Sequence, residues 1–349
     1  MALFEHKEFD NHEQVVFCHD KVTGLKAIIA VHDTTMGPAL GGTRMWSYAN
    51  SEEALTDVLR LSRGMTYKSA LAGLPLGGGK AVIIGDAKKD KSEAFFKAYG
   101  RFVNALGGKY ITAEDVNIRT SDIAIVATET AFVAGTEGKA GDPSPHTAEG
   151  TYLGLKAAAK HAFGNEDLSG LKVAIQGLGA VGYDFAKYCA GEGAKLIVCD
   201  VNQESVDRAV AELGAEAVSI DAIYDADVDV YAPCALGATI NDETLKRIKA
   251  KVIAGSANNQ LATPAHDKIV KDMGILYAPD YVINAGGVIH VCSEAANFSR
   301  EDTAARVKAI YGTLDKIFTR ATAEDRPTGE IADEMAREIL AKKLAEKQA

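Results

Sequence analysis

Two lysines and an aspartate form the most reactive set of side chains that the sequence offers. Lys68 and Lys80 are separated by an apolar, glycine-rich stretch, residues 70–79, which is unlike the setting of an ordinary solvated lysine. If both ammonium groups share one pocket, repulsion and desolvation favour the neutral form of one of them, which could act as a base. The other could hold a carboxylate, and Asp115 could exchange a proton with an amino nitrogen. From residue type and spacing alone, three solvated charges remain the simpler interpretation.

The elements around these side chains are typical of an α/β domain. Segments 27–31, 81–84 and 109–112 are β-rich and alternate with helical periodicity. Between the first two, apolar residues recur at three- and four-residue steps after Asn50 and Ser51, either of which could cap a helix. That predicted helix carries Lys68 near its end, and the third predicted strand leads to Asp115.

A glycine turn in the second half of the chain predicts a dinucleotide site. The segment Gly-Leu-Gly-Ala-Val-Gly at 177–182 follows a β-rich run, opens a helical run, and is followed 18 residues later by Asp200 at the end of the next β-rich run. Glycines at such a turn let a pyrophosphate approach the N–H groups of the helix start. An acidic residue in this place accepts hydrogen bonds from a ribose 2′-hydroxyl and repels a 2′-phosphate, which favours NAD over NADP. The predicted contacts are Gly177, Gly179, Ala180, Val181, Gly182 and Asp200.

The order of the predicted elements indicates two domains. The segment Gly-Asp-Pro-Ser-Pro at 141–145 stops regular structure and suggests a boundary. Further β-rich runs at 173–176, 196–199, 228–231, 252–254 and 275–277 are apolar throughout, as in a parallel sheet buried on both faces. We therefore expect an N-terminal α/β domain over 1–140, a doubly wound Rossmann-type domain over 141–325 on the other side of a cleft, and a C-terminal helix over 326–349 that packs back on the first domain.

Composition and missing motifs argue against several classes of function. A formal net charge of −10 disfavours indiscriminate nucleic-acid binding. The five cysteines are widely spaced, which fits a reducing cytoplasm, and no signal peptide or membrane span is expected. The Gly77–Lys80 stretch is not a phosphate loop, because Leu74 and Ala81 stand where that motif needs a glycine and a hydroxyl. No metal-ligand spacing accompanies His290, so we expect no catalytic metal.

Five segments together resemble one group of enzymes. They are GPALGGTR at 37–44, MTYK at 65–68, LGGGK at 76–80, TAED at 112–115 and NAGG at 284–287. In this order, with the nucleotide turn in its place, the chain resembles the leucine, phenylalanine and valine dehydrogenases, amino-acid dehydrogenases related to glutamate dehydrogenase. The match extends over nearly the whole chain, so the resemblance also implies an N-terminal substrate and oligomerisation domain.

This resemblance implies NAD-dependent oxidative deamination of an L-amino acid to a 2-oxo acid and ammonia by a homo-oligomer. Lys68 would bind the substrate carboxylate, Lys80 would be the base that activates water, and Asp115 would support proton transfer. Gly41 would contribute its backbone near the substrate. The family pattern adds coenzyme contacts at Thr147, Cys234, Ala235 and Asn259, and a substrate side-chain pocket formed by Leu40, Ala113, Val288 and Val291.

The pocket residues are apolar and short, which favours leucine, valine or isoleucine as substrate. Because one methyl group more or less on the substrate changes its binding free energy in such a pocket by only about 1 to 3 kcal/mol, all three amino acids could be accepted. Cys234 is interpreted as a packing residue and His290 as a structural hydrogen-bonding one. His290, Cys292 and the segment 117–119 depart from the family pattern. An aromatic amino-acid dehydrogenase of the same mechanism therefore remains an alternative, and an inactive NAD-binding regulatory protein is a more distant one.

Overall fold

The computed structural model describes residues 3–135, 141–296 and 298–348, except for the side chains of Glu294 and Ala295. These residues form two compact units. The first unit contains the N-terminal part of the chain up to Gly141 together with 291–298 and 336–349, and the second contains 142–290 and 299–335. The predicted combination of two α/β domains, the second of Rossmann type, is confirmed.

The first unit is built on a five-stranded sheet in the order β1-β2-β4-β3-β5. Strands β1 and β2 form an antiparallel pair, β2 is antiparallel to β4, and β3 runs parallel to both β4 and β5. The strands are β1 Gln14–His19, β2 Lys26–Asp33, β3 Ala39–Trp46, β4 Gly77–Ile84 and β5 Tyr110–Glu114. The helices are α1 Ser51–Leu71, α2 Glu93–Ala105 and α3 Thr120–Val126.

Helices α1 and α2 cover opposite faces of this sheet. Asn50 caps α1 by accepting a hydrogen bond from Glu53 N, and the helix buries Leu55, Val58 and Leu59 against β2 and β4. On the other face, aromatic residues of α2 pack against Ala81 and Ile83 of β4. Since side chains alternate along a strand, every second residue of β3, β4 and β5 is directed toward α1.

Glycine in β4 allows α1 to lie unusually close to the sheet. A Cβ on Gly78 would lie 2.0 Å from the backbone nitrogen of Thr66 and 2.2 Å from its hydroxyl. On the opposite face, a Cβ on Gly79 would lie 2.7 Å from the ring of Tyr110. The glycine run therefore serves packing on both faces of the strand that carries Lys80.

The second unit contains a six-stranded parallel sheet in the order β11-β10-β9-β6-β7-β8. The strands are β6 Lys172–Gln176, β7 Lys195–Cys199, β8 Glu216–Ala217, β9 Val230–Pro233, β10 Val252–Ile253 and β11 Leu276–Tyr277. The helices that begin in this unit are α4 Ser144–Phe163, α5 Ala180–Gly191, α6 Gln203–Leu213, α7 Asp242–Leu245, α8 Ala265–Asp272, α9 Asp280–Ile283, α10 Gly286–Ala295, α11 Arg300–Glu324 and α12 Thr328–Gln348. Short 3₁₀ turns lie at Leu3–Glu5 and Ala222–Asp225.

The sequence located eight of the eleven described strands but not β1, β3 or β8. Its expectation that residues 141–145 interrupt regular structure is wrong at the end of the segment, because α4 begins at Ser144. Pro145 is accommodated in the first turn, where its missing N–H would have no partner within the helix. Among the described helices, none is long and apolar enough to cross a membrane.

The close approach of α1 to β4 makes Gly78 a sensitive position. We expect Gly78→Ala to lower the free energy of unfolding by about 1 to 3 kcal/mol, because its methyl group overlaps the backbone of Thr66. Gly64→Ala, in α1, is the control: its Cβ would have no described atom within 4 Å, and alanine should stabilise the helix by about 0.5 to 1 kcal/mol. Denaturant unfolding of the two variants checks this, and equal stability of both would contradict the packing argument.

Candidate functional site

A buried ion pair lies at the centre of the first unit. Lys80 Nζ is 2.5 Å from Asp115 Oδ2, and the Lys80 residue is only 7% exposed. Lys80 is in β4 and Asp115 directly follows β5, so the two are joined across the intervening strand β3. The fold thus brings together two of the three reactive residues that the sequence predicted.

Two glycines of β3 make room for this contact. A Cβ on Gly41 would lie 1.8 Å from Gly79 O and 3.5 Å from Lys80 Cα. A Cβ on Gly42 would lie 2.3 Å from Glu114 O and 2.9 Å from Asp115 Cβ. Any larger residue at either place would push away the strand of the lysine or the end of the strand that precedes the aspartate. The Gly41 carbonyl also accepts a hydrogen bond of 2.6 Å from Tyr110 OH, which fixes its orientation.

Several predicted substrate residues share the sheet face that α1 covers. Gly78 is directed at Thr66 of α1, and Leu40 is paired with Gly78, so Leu40 belongs to the same face. Lys80 follows Gly78 by two residues, and Ala113 is paired with Gly42, two residues beyond Leu40. Leu40 and Ala113 are both buried. One face therefore presents an ammonium group, a carboxylate and two short apolar side chains.

Lys68 belongs to the helix that covers this face of the sheet. It lies in the last turn of α1, two residues beyond Thr66, and its side chain is partly buried. The helix that carries it is the one that the glycine of β4 brings close to the sheet. The structure thus places Lys68 near the end of a helix, as the periodicity of the sequence predicted.

Asp115 is ionised although it is largely buried. Burial alone favours the neutral acid, but the positive charges of Lys80 and Arg44 outweigh it and hold the carboxyl pKa below its usual range. A hydrogen bond from Val116 N contributes in the same direction. The group therefore enters any reaction at neutral pH as a carboxylate, able to accept a proton.

Sequence reasoning gave no role to three residues that support the ion pair. Arg44 Nε lies 3.5 Å from Asp115 Oδ2, and Arg44 Nη1 lies 3.1 Å from Asp57 Oδ2. Tyr48 OH donates a hydrogen bond of 2.6 Å to the same Asp57 oxygen. In the sequence, the two-residue spacing of Leu40, Gly42 and Arg44 could have indicated that Arg44 shares a strand face with Leu40. Using it required recognising β3 as a strand.

The turn after Asp115 contains the departure from the family pattern at 117–119. Asn117 adopts a left-handed conformation with φ of 60° and donates its side-chain amide to Met45 O at 3.0 Å. Ile118 N donates to Asp115 O at 2.9 Å, which closes the turn. Asparagine tolerates this backbone conformation better than most residues. Through its hydrogen bond to Met45, Asn117 anchors the turn to the end of β3.

The second unit contains the predicted nucleotide turn between β6 and α5. Gly177 has φ of 104°, and a Cβ on Gly182 would lie 2.1 Å from Gly177 O. A Cβ on Gly179, by contrast, would meet none of the described atoms within 4 Å. Ala180 and Val181 form the first turn of α5, whose N-terminal N–H groups no described side chain caps. The first and third glycines thus shape the turn, and the middle one leaves open space at the helix start, which fits a pyrophosphate.

Asp200 joins this turn to the end of β7. Its Oδ2 accepts a hydrogen bond of 2.5 Å from Leu178 N, and its Oδ1 accepts one of 2.7 Å from Asn202 N. Each oxygen of a carboxylate can accept more than one hydrogen bond, so capacity remains for a ribose hydroxyl. The exposed aliphatic side chain of Val201 follows directly and adds apolar surface.

Other predicted coenzyme residues follow neighbouring strands of the same sheet. Cys234 and Ala235 come directly after β9, Cys234 N donates to Gln176 O at 2.8 Å, and a Cβ on Gly177 would lie 2.7 Å from Ala235 Cβ. Asn259, with φ of 52°, lies in the loop after β10, where its carbonyl accepts a hydrogen bond from Ala238 N at 2.7 Å. These loops all lie at the carboxyl ends of parallel strands, where open α/β sheets bind ligands.

Thr147 is in the first turn of α4 and donates its hydroxyl to Pro143 O at 3.1 Å. The start of α10 packs directly against this turn, because a Cβ on Gly286 would lie 2.0 Å from His146 O and one on Gly287 would lie 2.9 Å from Thr147 Oγ1. From the sequence, Asn284 was only part of the NAGG segment and had no role of its own. Its side-chain amide donates hydrogen bonds to Ser256 O and to Asn258 Oδ1, and so ties the residues just before α10 to the loop after β10.

Val288 and Val291 are partly buried residues of α10. Val288 belongs to the second unit and Val291 to the first. His290 packs its ring against that of His146, with centroids 4.8 Å apart. Within the described part of the chain, no group of three or more His, Cys, Asp or Glu side chains is arranged to hold a metal ion.

Comparison with known proteins gives consistent matches along the chain. A family described as "Glu/Leu/Phe/Val dehydrogenase, dimerisation domain" matches residues 12–132. A second, described as "Glutamate/Leucine/Phenylalanine/Valine dehydrogenase", matches residues 198–326.

Individual relatives span almost the same length. The chain is 56% identical to leucine dehydrogenase of Geobacillus stearothermophilus over 97% of this chain and 94% of that protein. It is 47% identical to phenylalanine dehydrogenase of Lysinibacillus sphaericus, over 95% and 89% of the two chains. The crystal structure of L-tryptophan dehydrogenase from Nostoc punctiforme is similar with a TM-score of 0.88 and 43% identity, over 98% and 99%.

The three glycines of the nucleotide turn should respond differently to alanine. We expect Gly179→Ala to keep the thermal stability of the protein but to weaken NADH binding at least about tenfold, because its methyl group occupies the space left for a ligand. Gly182→Ala should instead lower stability by about 1 to 3 kcal/mol, since it overlaps Gly177 O. Fluorescence titration and thermal unfolding measure both effects.

Gly191→Ala, at the other end of α5, is the matched control and should change neither quantity strongly, because its Cβ also meets no described atom within 4 Å. Unchanged NADH affinity in Gly179→Ala would show that the turn does not hold a pyrophosphate.

Proposed function

The chain belongs to the glutamate, leucine, phenylalanine and valine dehydrogenase family, and we propose that it oxidatively deaminates a branched-chain L-amino acid, with NAD, to the 2-oxo acid, ammonia and NADH. The observation that carries this proposal is the contact between Lys80 and Asp115 on the sheet face that also presents Leu40 and Ala113. The reaction is reversible, so the same residues serve reductive amination.

The charged residues of the first unit are suited to an amino acid. Lys68 is assigned to the substrate carboxylate, since a lysine at the end of α1 provides a compact positive charge. Asp115, held as a carboxylate, accepts a hydrogen bond from the amino nitrogen and takes the proton that the substrate ammonium must lose. Gly41, close to Lys80, contributes backbone beside the substrate.

Lys80 is assigned to the water step. When bound, NAD supplies the acceptor for the hydride that leaves Cα. Lys80 then takes a proton from water as the water oxygen adds to the iminium carbon of the substrate. It passes this proton to the amino nitrogen, and it takes the hydroxyl proton as the C=O bond forms, the C–N bond breaks and neutral ammonia leaves. The buried contact with Asp115 keeps the Lys80 amine in one direction, which is a condition for efficient proton transfer.

The described side chains of the second unit fit a dinucleotide. Gly177, Gly179, Ala180, Val181 and Gly182 would hold the pyrophosphate at the start of α5, and Asp200 would hold the ribose diol. Thr147, Cys234, Ala235 and Asn259 are assigned to the nicotinamide half by the family pattern. The carboxylate of Asp200 and its neighbours Val201, Asn202 and Gln203, which bring no positive charge, support NAD over NADP.

Branched-chain substrates are supported by both the pocket and the relatives. Leu40 and Ala113 are short apolar residues, and Val288 and Val291 remain predicted members of the pocket. The leucine dehydrogenases are more similar to this chain than the phenylalanine and tryptophan enzymes. The description of the first family domain as a dimerisation domain supports a homo-oligomer.

The relatives with aromatic substrates make an aromatic amino acid the second candidate. We expect NADH formation with leucine, valine and isoleucine at kcat/KM values at least about tenfold above those for phenylalanine and tryptophan, because each mismatched methylene or ring costs 1 kcal/mol or more. The same assay with NADP should give much lower efficiency than with NAD. A preference for phenylalanine or tryptophan, or equal use of both coenzymes, would contradict the respective assignment.

Lys80 is the residue whose removal tests the mechanism. Lys80→Ala should lower turnover on the order of 100- to 10,000-fold, since it removes the base, while NADH binds nearly as before. Lys97→Ala is the control: this partly exposed lysine of α2 pairs with the exposed Glu93, and the variant should keep full activity. Stopped-flow measurement of NADH formation decides between the outcomes, and a Lys80→Ala protein of normal turnover would refute the assignment.

A further inference from the structure

Arg44 is a partly buried cation next to the proposed reactive pair. Its side chain is 19% exposed, and Nε lies 3.5 Å from Asp115 Oδ2. The other end of the guanidinium contacts Asp57 of α1, with Nη1 at 3.1 Å from Oδ2 and 3.4 Å from Oδ1. Burial disfavours the charged form of Arg44, but the two carboxylates outweigh it and raise the pKa of this arginine further. Arg44 is therefore a permanent positive charge.

We propose that Arg44 is a positioning residue that keeps the Asp115 carboxylate directed at Lys80 and favours its ionised form until it takes the substrate proton. This inference rests on the proposed function, in which Lys80 is neutral for part of the cycle. At that stage Asp115 loses its nearest positive charge, and a buried carboxylate without a counter-ion takes up a proton. An arginine cannot lose its charge under these conditions, so it favours the carboxylate form of Asp115 even when Lys80 is neutral, and Asp115 stays available for the substrate proton.

The geometry of Arg44 fits a positioning role better than it fits a simple salt bridge to Asp115. Its nearer contacts go to Asp57, which is itself fixed by the hydroxyl of Tyr48. Asp57 thus restrains the guanidinium, which reaches Asp115 only at 3.5 Å and through Nε, a nitrogen without a hydrogen bond of its own. Lys80 Nζ lies closer to the same Asp115 oxygen, at 2.5 Å. Arg44 supplies charge without displacing the lysine.

Among the described residues, a small set of charged and titratable groups surrounds Asp115. Lys80 comes from β4 and Arg44 from β3, with Asp57 and Tyr48 behind Arg44. Lys68 lies in the last turn of α1 on the same side of the sheet. Removing the charge of Arg44 should thus raise the pH at which Lys80 and Asp115 titrate. Without that positive charge, a proton added to either group meets less repulsion.

The test compares Arg44→Gln, Arg44→Lys and, as a matched control on α1, the exposed Arg60→Gln. In the coenzyme-free protein, the ¹³C resonance of the Asp115 carboxyl is assigned by its loss in Asp115→Asn and followed against pH. We expect its midpoint to rise by about 1 pH unit or more in Arg44→Gln, by less than half of that in Arg44→Lys, and not at all in Arg60→Gln. The kcat for leucine should fall about tenfold in Arg44→Gln, the acid limb of its pH profile should move in the same direction, and the KM for NAD should stay unchanged.

A midpoint in Arg44→Gln that equals that of the unsubstituted protein, together with lower thermal stability, would show that Arg44 only clamps β3 to α1. If Arg44→Gln does not fold, Asp57→Asn decides: it removes the competing carboxylate, and we expect the Asp115 midpoint to fall, whereas an unmoved midpoint would overturn the proposal. Absence of leucine oxidation by the unsubstituted protein would contradict the proposed function but not the titration. Leucine oxidation with an unmoved titration would contradict the role of Arg44 alone.

Discussion

The fold of the first unit must hold a lysine and an aspartate in contact at a place that little water reaches. Removing two charges from water costs several kcal/mol for each ion, so such a pair is maintained only with good geometry and further charged partners. Lys80 and Asp115 have both, because glycines of β3 let their backbones approach and Arg44 adds a second cation beside the carboxylate. The sheet order, the glycine run and the placement of α1 together meet this requirement.

Glycine serves the same purpose in both units. In β3 and β4 it lets strands and a helix approach more closely than a Cβ would allow, and in the turn before α5 Gly177 and Gly182 do the same. Gly179 is different, because its missing side chain leaves space rather than closing a contact. A glycine motif is therefore informative only when each glycine is assigned to packing, to backbone conformation or to a ligand.

Local features were predictable from the sequence, and features that depend on sheet order were not. The turn at 177–182 and Asp200 belong to one contiguous strand, turn, helix and strand, so spacing alone located them. Strand β3 was missed because two adjacent glycines interrupt its apolar alternation. Without that strand, the contact of Lys80 with Asp115 rested on family resemblance, and Arg44 received no role. The order β4-β3-β5 that joins them is a tertiary feature which no periodicity contains.

We assign the substrate carboxylate to Lys68 and the reacting carbon to Lys80 and Asp115. A crystal structure with NADH and the 2-oxo acid of leucine tests this assignment most directly. We expect the carboxylate of the 2-oxo acid within hydrogen-bonding distance of Lys68 Nζ, about 3 Å, and its oxo group beside Lys80 Nζ. A 2-oxo acid bound with its oxo carbon out of reach of Lys80, or with its carboxylate held by another cation, would contradict it.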